Sequence, residues 1–233
     1  MLAPEHLAAL GVIAVVTATA AMAARKHPGG WVVAFSKLLA ITILAAYLVE
    51  NVAAIEQGIW TPGRFLPLHL TDVVTILSAI ALWTTRQLPF ELTYFWALSA
   101  SLLATLTPDL GQTFPDVFYV TYFATHGGAV VAAVFLAAGC RMVPRAGSVL
   151  RVFGYTVVVA AAAAIGTVVT DGNYMWLREK PDSESLLDVM GPWPIYIVAA
   201  GALGLVLFYA LDTPFRRMRR SAAGRSRFAP SNS

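Results

Sequence analysis

Apolar and polar positions along the chain alternate on a long scale, with apolar runs of about a helix-span each separated by short polar segments. The runs fall at His6–Ala24, Trp31–Val52, Phe65–Thr84, Pro89–Thr107, Val117–Cys140, Leu150–Thr170 and Pro194–Leu211. Each is close to the roughly 20 residues that a helix needs to cross a ~30 Å hydrocarbon core. Lipid leaves unpaired backbone groups without a partner, so runs of this kind form helices rather than isolated strands. The pattern predicts an all-α fold: a polytopic membrane helix bundle with seven transmembrane helices.

Composition strengthens that expectation. Hydrophobic residues make up 58% of the chain and charged residues 12%, with mean hydropathy +0.69. A soluble domain needs roughly twice that charged fraction to cover its surface. Lys and Arg then set the orientation. With the N-terminus outside, the inner segments hold Arg25 and Lys26, Arg86, Arg141, Arg145 and Arg151, and a tail with Arg216, Arg217, Arg219, Arg220, Arg225 and Arg227. The outer segments hold only Arg64, Arg178 and Lys180, so the positive-inside rule puts the C-terminus in the cytoplasm. Ala21-Met22-Ala23 resembles a cleavage site, but no Lys or Arg precedes the first apolar run, which predicts a retained helix. The net charge of +3 arises from the inner loops and tail, pointing to anionic lipid headgroups rather than nucleic acid.

The expected organisation is a seven-helix transmembrane domain over 1–215 and a basic, disordered cytoplasmic tail over 216–233, in a multi-pass protein of the cell membrane. The longest connection, Asp171–Trp193, is polar yet carries Tyr174, Met175, Trp176 and Leu177. Asp182 or Ser183 is expected to cap a short helix through Leu186, Leu187 and Met190, lying on the membrane surface or over a cavity. The single cysteine, Cys140, lies at the inner end of the fifth run and excludes a disulfide within the chain.

Ionisable groups in a bilayer are costly and mark function. Glu50 ends the second run on the outer side. His69 and Asp72, three apart, open the third on one helical face. Asp109 follows Pro108, His126 lies in the outer half of the fifth run before Gly127-Gly128, and Asp171 and Asn173 end the sixth. All share one depth on the outer side, whereas only Glu91 and Lys37 stand out on the inner side. A helix-capping carboxylate and a structural histidine are the plain alternatives for His69 and Asp72, and a turn cap is the plain alternative for Asp109.

Several ordered motifs carry a family resemblance. Leu68-His69-Leu70-Thr71-Asp72, Pro89-Phe90-Glu91-Leu92, Thr107-Pro108-Asp109, Thr125-His126-Gly127-Gly128, Gly172-Asn173-Tyr174-Met175 and Gly191-Pro192-Trp193-Pro194 resemble the bacterial YwaF-type integral membrane proteins over about Leu66–Phe215. These are similar to the animal transmembrane protein 164 family, a resemblance that implies transfer of fatty acyl chains between phospholipids. A more remote similarity, to the androgen-inducible membrane hydrolases, implies lipid-ester cleavage by threonine and histidine. The acyltransferase pattern implies a cysteine nucleophile in Pro-Cys-His. This chain has Pro67-Leu68-His69, and Cys140 sits at the other membrane face. The hydrolase pattern implies Thr71 as nucleophile and His126 as its base.

The expected function is lipid acyl chemistry at the outer leaflet, as acyltransferase or ester hydrolase, with no cofactor. Thr71 attacks, His126 removes its proton, Asp72 or Asp109 orients an imidazole, and His69, Asn173 or backbone groups near Gly127 donate to the oxyanion. Glu50, Gly127, Asp171, Asn173, Tyr174 and Trp176 are the candidate substrate-binding residues, with membrane lipids the expected partners alongside an unidentified membrane protein. The alternatives are a non-catalytic lipid-binding or complex-stabilising protein, a transporter, and a metal site built from His69, Asp72, His126 and Glu50.

Overall fold

The structure is a computed structural model that describes residues 3–181 and 185–227. It is all-helical in those residues. Five helices are long and apolar enough to cross a membrane: α1 (Pro4–Lys26), α2 (Gly30–Glu56), α7 with its extension (Val117–Gly139), α8 (Ser148–Thr170) and the first part of α9, Ile195–Arg219. Between α2 and α7 stand a one-turn α3 (Pro62–Phe65), α4 (Leu70–Thr84), α5 (Gln87–Trp96) and α6 (Leu102–Leu106). A π-helical turn, Ala97–Ser101, joins α5 to α6, and another, Phe135–Gly139, extends α7 (Val117–Val134).

The helix carrying His126 is the axis of the bundle. Of the apolar window of α7, 67% is buried, compared with 17–22% for the other four long helices. Helices α1, α2, α4, α5 and α6 all pack on it. Small residues let them approach: a Cβ on Gly139 would lie 3.1 Å from the Cβ of Ala24. The outward faces stay apolar, with Leu48 and Val52 on α2 and Val168 and Val169 on α8 exposed. Apolar surface on that scale suits lipid rather than water.

Three features differ from the sequence expectation. The third run is not helical from Phe65. Pro67 supplies no N–H and holds Leu66 extended (φ −67°, ψ 146°), so α4 begins only at Leu70 with His69 as its extended N-cap. The end of the bundle that carries Glu91 holds dense charge beyond Glu91 and Lys37. The Glu91 carboxylate, fully buried, is gripped by Arg145 and Arg151, and buried Asp212 by Arg216 and Arg219. Helix α9 (Ile195–Arg227) also runs past residue 215, and Arg219, whose Nη1 donates to the Pro144 carbonyl at 2.6 Å, ties its continuation to the bundle.

Within the outer connection, the expected caps Asp182 and Ser183 lie outside the described residues. A 3₁₀ turn, Leu186–Met190, begins instead after Ser185, whose backbone N–H donates to Asp188 Oδ2 at 2.7 Å. This is the reciprocal half of a capping box.

Candidate functional site: two histidines under an outer strap

The break before α4 builds the first half of the site. As N-cap, His69 donates its backbone N–H to Asp72 Oδ2 at 3.2 Å, so the carboxylate three residues on serves the helix start. The same break leaves Thr71 unusual. Thr75, Thr84, Thr121, Thr125 and Thr170 each donate to the carbonyl four residues earlier. For Thr71 that position is Pro67, in the non-helical stretch, and its hydroxyl has no hydrogen-bond partner among the described residues. The side chain is half-buried. It is therefore unpaired and unsealed.

A strap from the outer connection covers His69. Tyr174 is fully buried; its hydroxyl donates to the Pro62 carbonyl and accepts from Leu66 N–H at 3.2 Å. Burial raises the phenol above its ordinary range, which keeps it a neutral donor. Met175 presents its backbone N–H to His69 Nδ1 at 3.3 Å. The carbonyl of Trp176 accepts from Tyr196 of α9 at 2.6 Å. The rings of Tyr174 and Trp176 flank the imidazole at 5.2 and 5.9 Å. Met175 and Trp176 both adopt left-handed backbone (φ 53° and 57°), a costly arrangement held by these three attachments.

The second half stands on α7. His126 Nδ1 lies 3.0 Å from the Tyr122 carbonyl and 3.2 Å from Thr125 Oγ1, and its ring stacks on Tyr122 at 4.2 Å. A carbonyl only accepts, so Nδ1 carries the proton and Nε2 keeps its lone pair. Nε2 has no hydrogen-bond partner among the described residues, and it is not one of the sealed, unpartnered polar atoms. At His69 the assignment reverses: a backbone N–H only donates, so Nδ1 accepts and Nε2 bears the hydrogen. One ring is fixed as acceptor at Nε2, the other as donor.

The helices that carry the two halves, α4 and α7, pack on each other, and α2, which carries Tyr47 and Glu50, packs on both. Neither Asp72 nor Asp109 hydrogen-bonds a histidine ring among the described residues; the Tyr122 carbonyl and the Met175 N–H orient the imidazoles instead. Asp109 is exposed in the loop after α6. Tyr122 and Tyr47 were missed by sequence reasoning, although each lies one turn before a singled-out residue, His126 and Glu50 respectively.

The remaining candidates are placed around this centre. Glu50 is half-buried on α2. Asp171, with φ 55°, ends α8 and pairs with Arg178 at the surface. Asn173 staples the strap, accepting from Arg178 N at 3.0 Å and donating to the Glu179 carbonyl at 2.9 Å. Gly127 faces α1, where an added Cβ would come within 2.4 Å of Ile13 Cδ1. Leu68, at the position of the cysteine in the resembled motif, packs its Cδ1 into the space that a Cβ on Gly166 would need. Among the described residues, no three His, Cys, Asp or Glu side chains gather closely enough to hold a metal ion.

The TMEM164 family model matches residues 1–212, nearly the whole bundle including both histidines and the strap. The chain belongs to the TMEM164 family. A protein of Treponema pallidum (strain Nichols), described as an uncharacterized protein, is 27% identical over 152 residues, covering 65% of this chain and 62% of that protein. The chain thus matches less than two thirds of that relative's length. No solved structure matches it. As a multi-pass member of this membrane family, the chain carries its polar centre on α4, α7 and the strap.

Proposed function

We propose that this TMEM164-family chain is a lipid acyl-chain enzyme of the cell membrane, acting at the outer leaflet as acyltransferase or ester hydrolase. The supporting observation is the pairing of His126 Nδ1 with a carbonyl and of His69 Nδ1 with an N–H, which leaves one Nε2 to accept and the other to donate. In the reaction, His126 Nε2 takes the Thr71 hydroxyl proton as Thr71 Oγ1 attacks the ester carbonyl carbon. His69 Nε2–H donates to the oxygen that becomes the oxyanion. The ester C–O bond then breaks, and the departing alkoxide takes the proton from His126. Water or the hydroxyl of a lysophospholipid then attacks the acyl-threonine, His126 removing its proton and returning it to Thr71 Oγ1 as the acyl–oxygen bond breaks. Asp72, held by the His69 backbone, keeps that donor in register, and the strap with Trp176 covers the headgroup.

This reading includes seven transmembrane helices, with α4 and the α5–α6 unit completing the five longer spans, an outside N-terminus and a cytoplasmic basic tail. It is tested by incubating the purified protein with a phospholipid carrying a labelled acyl chain and following free fatty acid and acyl exchange. His126→Ala is expected to lower the rate about a hundredfold or more.

One observation favours a second reading. Leu68 is packed against Gly166 in the place of a nucleophile, and the Thr71 hydroxyl makes no direct hydrogen bond to His126. A lipid-binding scaffold retaining the two-histidine centre would show no turnover, and its lipid affinity would fall in graded steps across the site.

A further inference from the structure

At the other end of the bundle, two buried carboxylates organise four arginines. Glu91 accepts from Arg145 N (2.8 Å), Nε (2.9 Å) and Nη2 (2.9 Å), from Arg151 Nη1 (2.8 Å) and from Gln87 Nε2 (3.3 Å). Asp212 accepts from Arg216 Nε at 2.7 Å and from Arg219 Nη2 at 2.8 Å. The two groups are joined, because Arg219 Nη1 donates to the carbonyl of Pro144, the residue before Arg145, at 2.6 Å. The carboxylates are sealed, but the guanidiniums are not: Arg145, Arg151, Arg216 and Arg219 stay 50%, 35%, 44% and 26% exposed.

We propose that this cluster binds the phosphate-monoester headgroup of an anionic membrane lipid. Four positive charges meet two buried negative ones, leaving a surplus of two, which matches a phosphate monoester near its dianionic form. The guanidinium planes are already fixed by their carboxylates, so their remaining N–H donors meet phosphate oxygens without losing further side-chain freedom. The approach is apolar: Val206 and Tyr209, both exposed, lie on the α9 face that leads to Arg216, and the Arg216 guanidinium sits 4.8 Å over the Tyr209 ring. That face gives acyl chains a path beside the headgroup, which favours a lipid over free phosphate. The site stands apart from the histidine centre and does not depend on its chemistry.

The test uses the full-length protein in detergent micelles, titrated with phosphatidic acid, phosphatidylglycerol, phosphatidylcholine and inorganic phosphate, with bound ligand read by native mass spectrometry. Arg151→Gln with Arg216→Gln removes the surplus while leaving each carboxylate one arginine. Phosphatidic acid binding is expected to weaken about thirtyfold in that variant. Arg217→Gln with Arg225→Gln removes the same charge elsewhere on α9 and is expected to bind as the parent does. Should the first double variant fail to fold, Arg216→Gln alone is expected to weaken binding by about fivefold. Equal loss in the Arg217/Arg225 variant, or equal affinity for phosphatidylglycerol, would overturn the proposal. So would inorganic phosphate binding as tightly as the lipid.

Discussion

Met175 donates its backbone N–H to Nδ1 of His69 at 3.3 Å, so a residue of the outer connection fixes the ring of a helix cap 106 positions earlier in the chain. The strap that delivers this N–H is itself hung on Tyr174. Tyr174→Phe removes the bonds to Pro62 and Leu66 and is expected to cost about 1 kcal/mol of stability per lost bond. Its larger expected effect is on turnover rather than on lipid binding, since it loosens a donor that acts on the reacting oxygen. Thermal unfolding and a KM-against-kcat comparison check the two parts separately.

The strap also depends on backbone contact. A Cβ on Gly172 would stand 2.3 Å from the Gly63 carbonyl oxygen, and neither backbone has a flexible end to give way. Gly172→Ala is expected to destabilise by about 1–3 kcal/mol. Gly154→Ala, where nothing lies within 4 Å, is expected to be neutral or stabilising by up to about 1 kcal/mol through helix propensity. Unfolding of both variants in the same detergent tests the contrast.

At the end of the bundle opposite the histidines, Glu91→Gln leaves Arg145 and Arg151 without their shared carboxylate. Breaking a buried ion pair costs about 3–5 kcal/mol, and the lower figure is expected here because both arginines can turn toward water. A fall in midpoint temperature of the purified protein, larger than that of Arg217→Gln, is the expected outcome.

Much of the architecture was legible from apolar run length, because the requirement to cross hydrocarbon leaves so few solutions. Four of the expected runs coincide closely with α1, α2, α7 with its extension, and α8. What periodicity could not show was the break at Leu66–His69. Pro67 signals it locally, but the apolar residues around it extend the run across the break. That break decides the site: it turns Asp72 into a partner for the His69 backbone and deprives Thr71 of its usual carbonyl acceptor. The arginine clusters around Glu91 and Asp212 were hidden for another reason. Glu91 and Arg145 are 54 positions apart, and basic residues near the inner surface are expected on topology alone. The histidine tautomers depend on the Tyr122 carbonyl and the Met175 N–H, which no sequence pattern displays.

Orientation is directly testable. On a Cys140→Ala background, Glu179→Cys is expected to react with a membrane-impermeant thiol reagent added to intact cells, and Arg86→Cys only after lysis. Both positions are exposed. Labelling of Arg86→Cys from outside would contradict the outer placement of the strap and the histidines.

The most direct test of the acyl-chain reading is turnover by the purified protein and three variants, using a phospholipid with a labelled acyl chain. The account predicts release or transfer of that chain by the parent, and loss of at least about a hundredfold in Thr71→Ala and in His126→Ala. The combined Thr71→Ala, His126→Ala variant should be no worse than either alone, since nucleophile and base act as a unit. An active parent whose rate survives Thr71→Ala, or a folded parent that binds the lipid without turning it over, would contradict it.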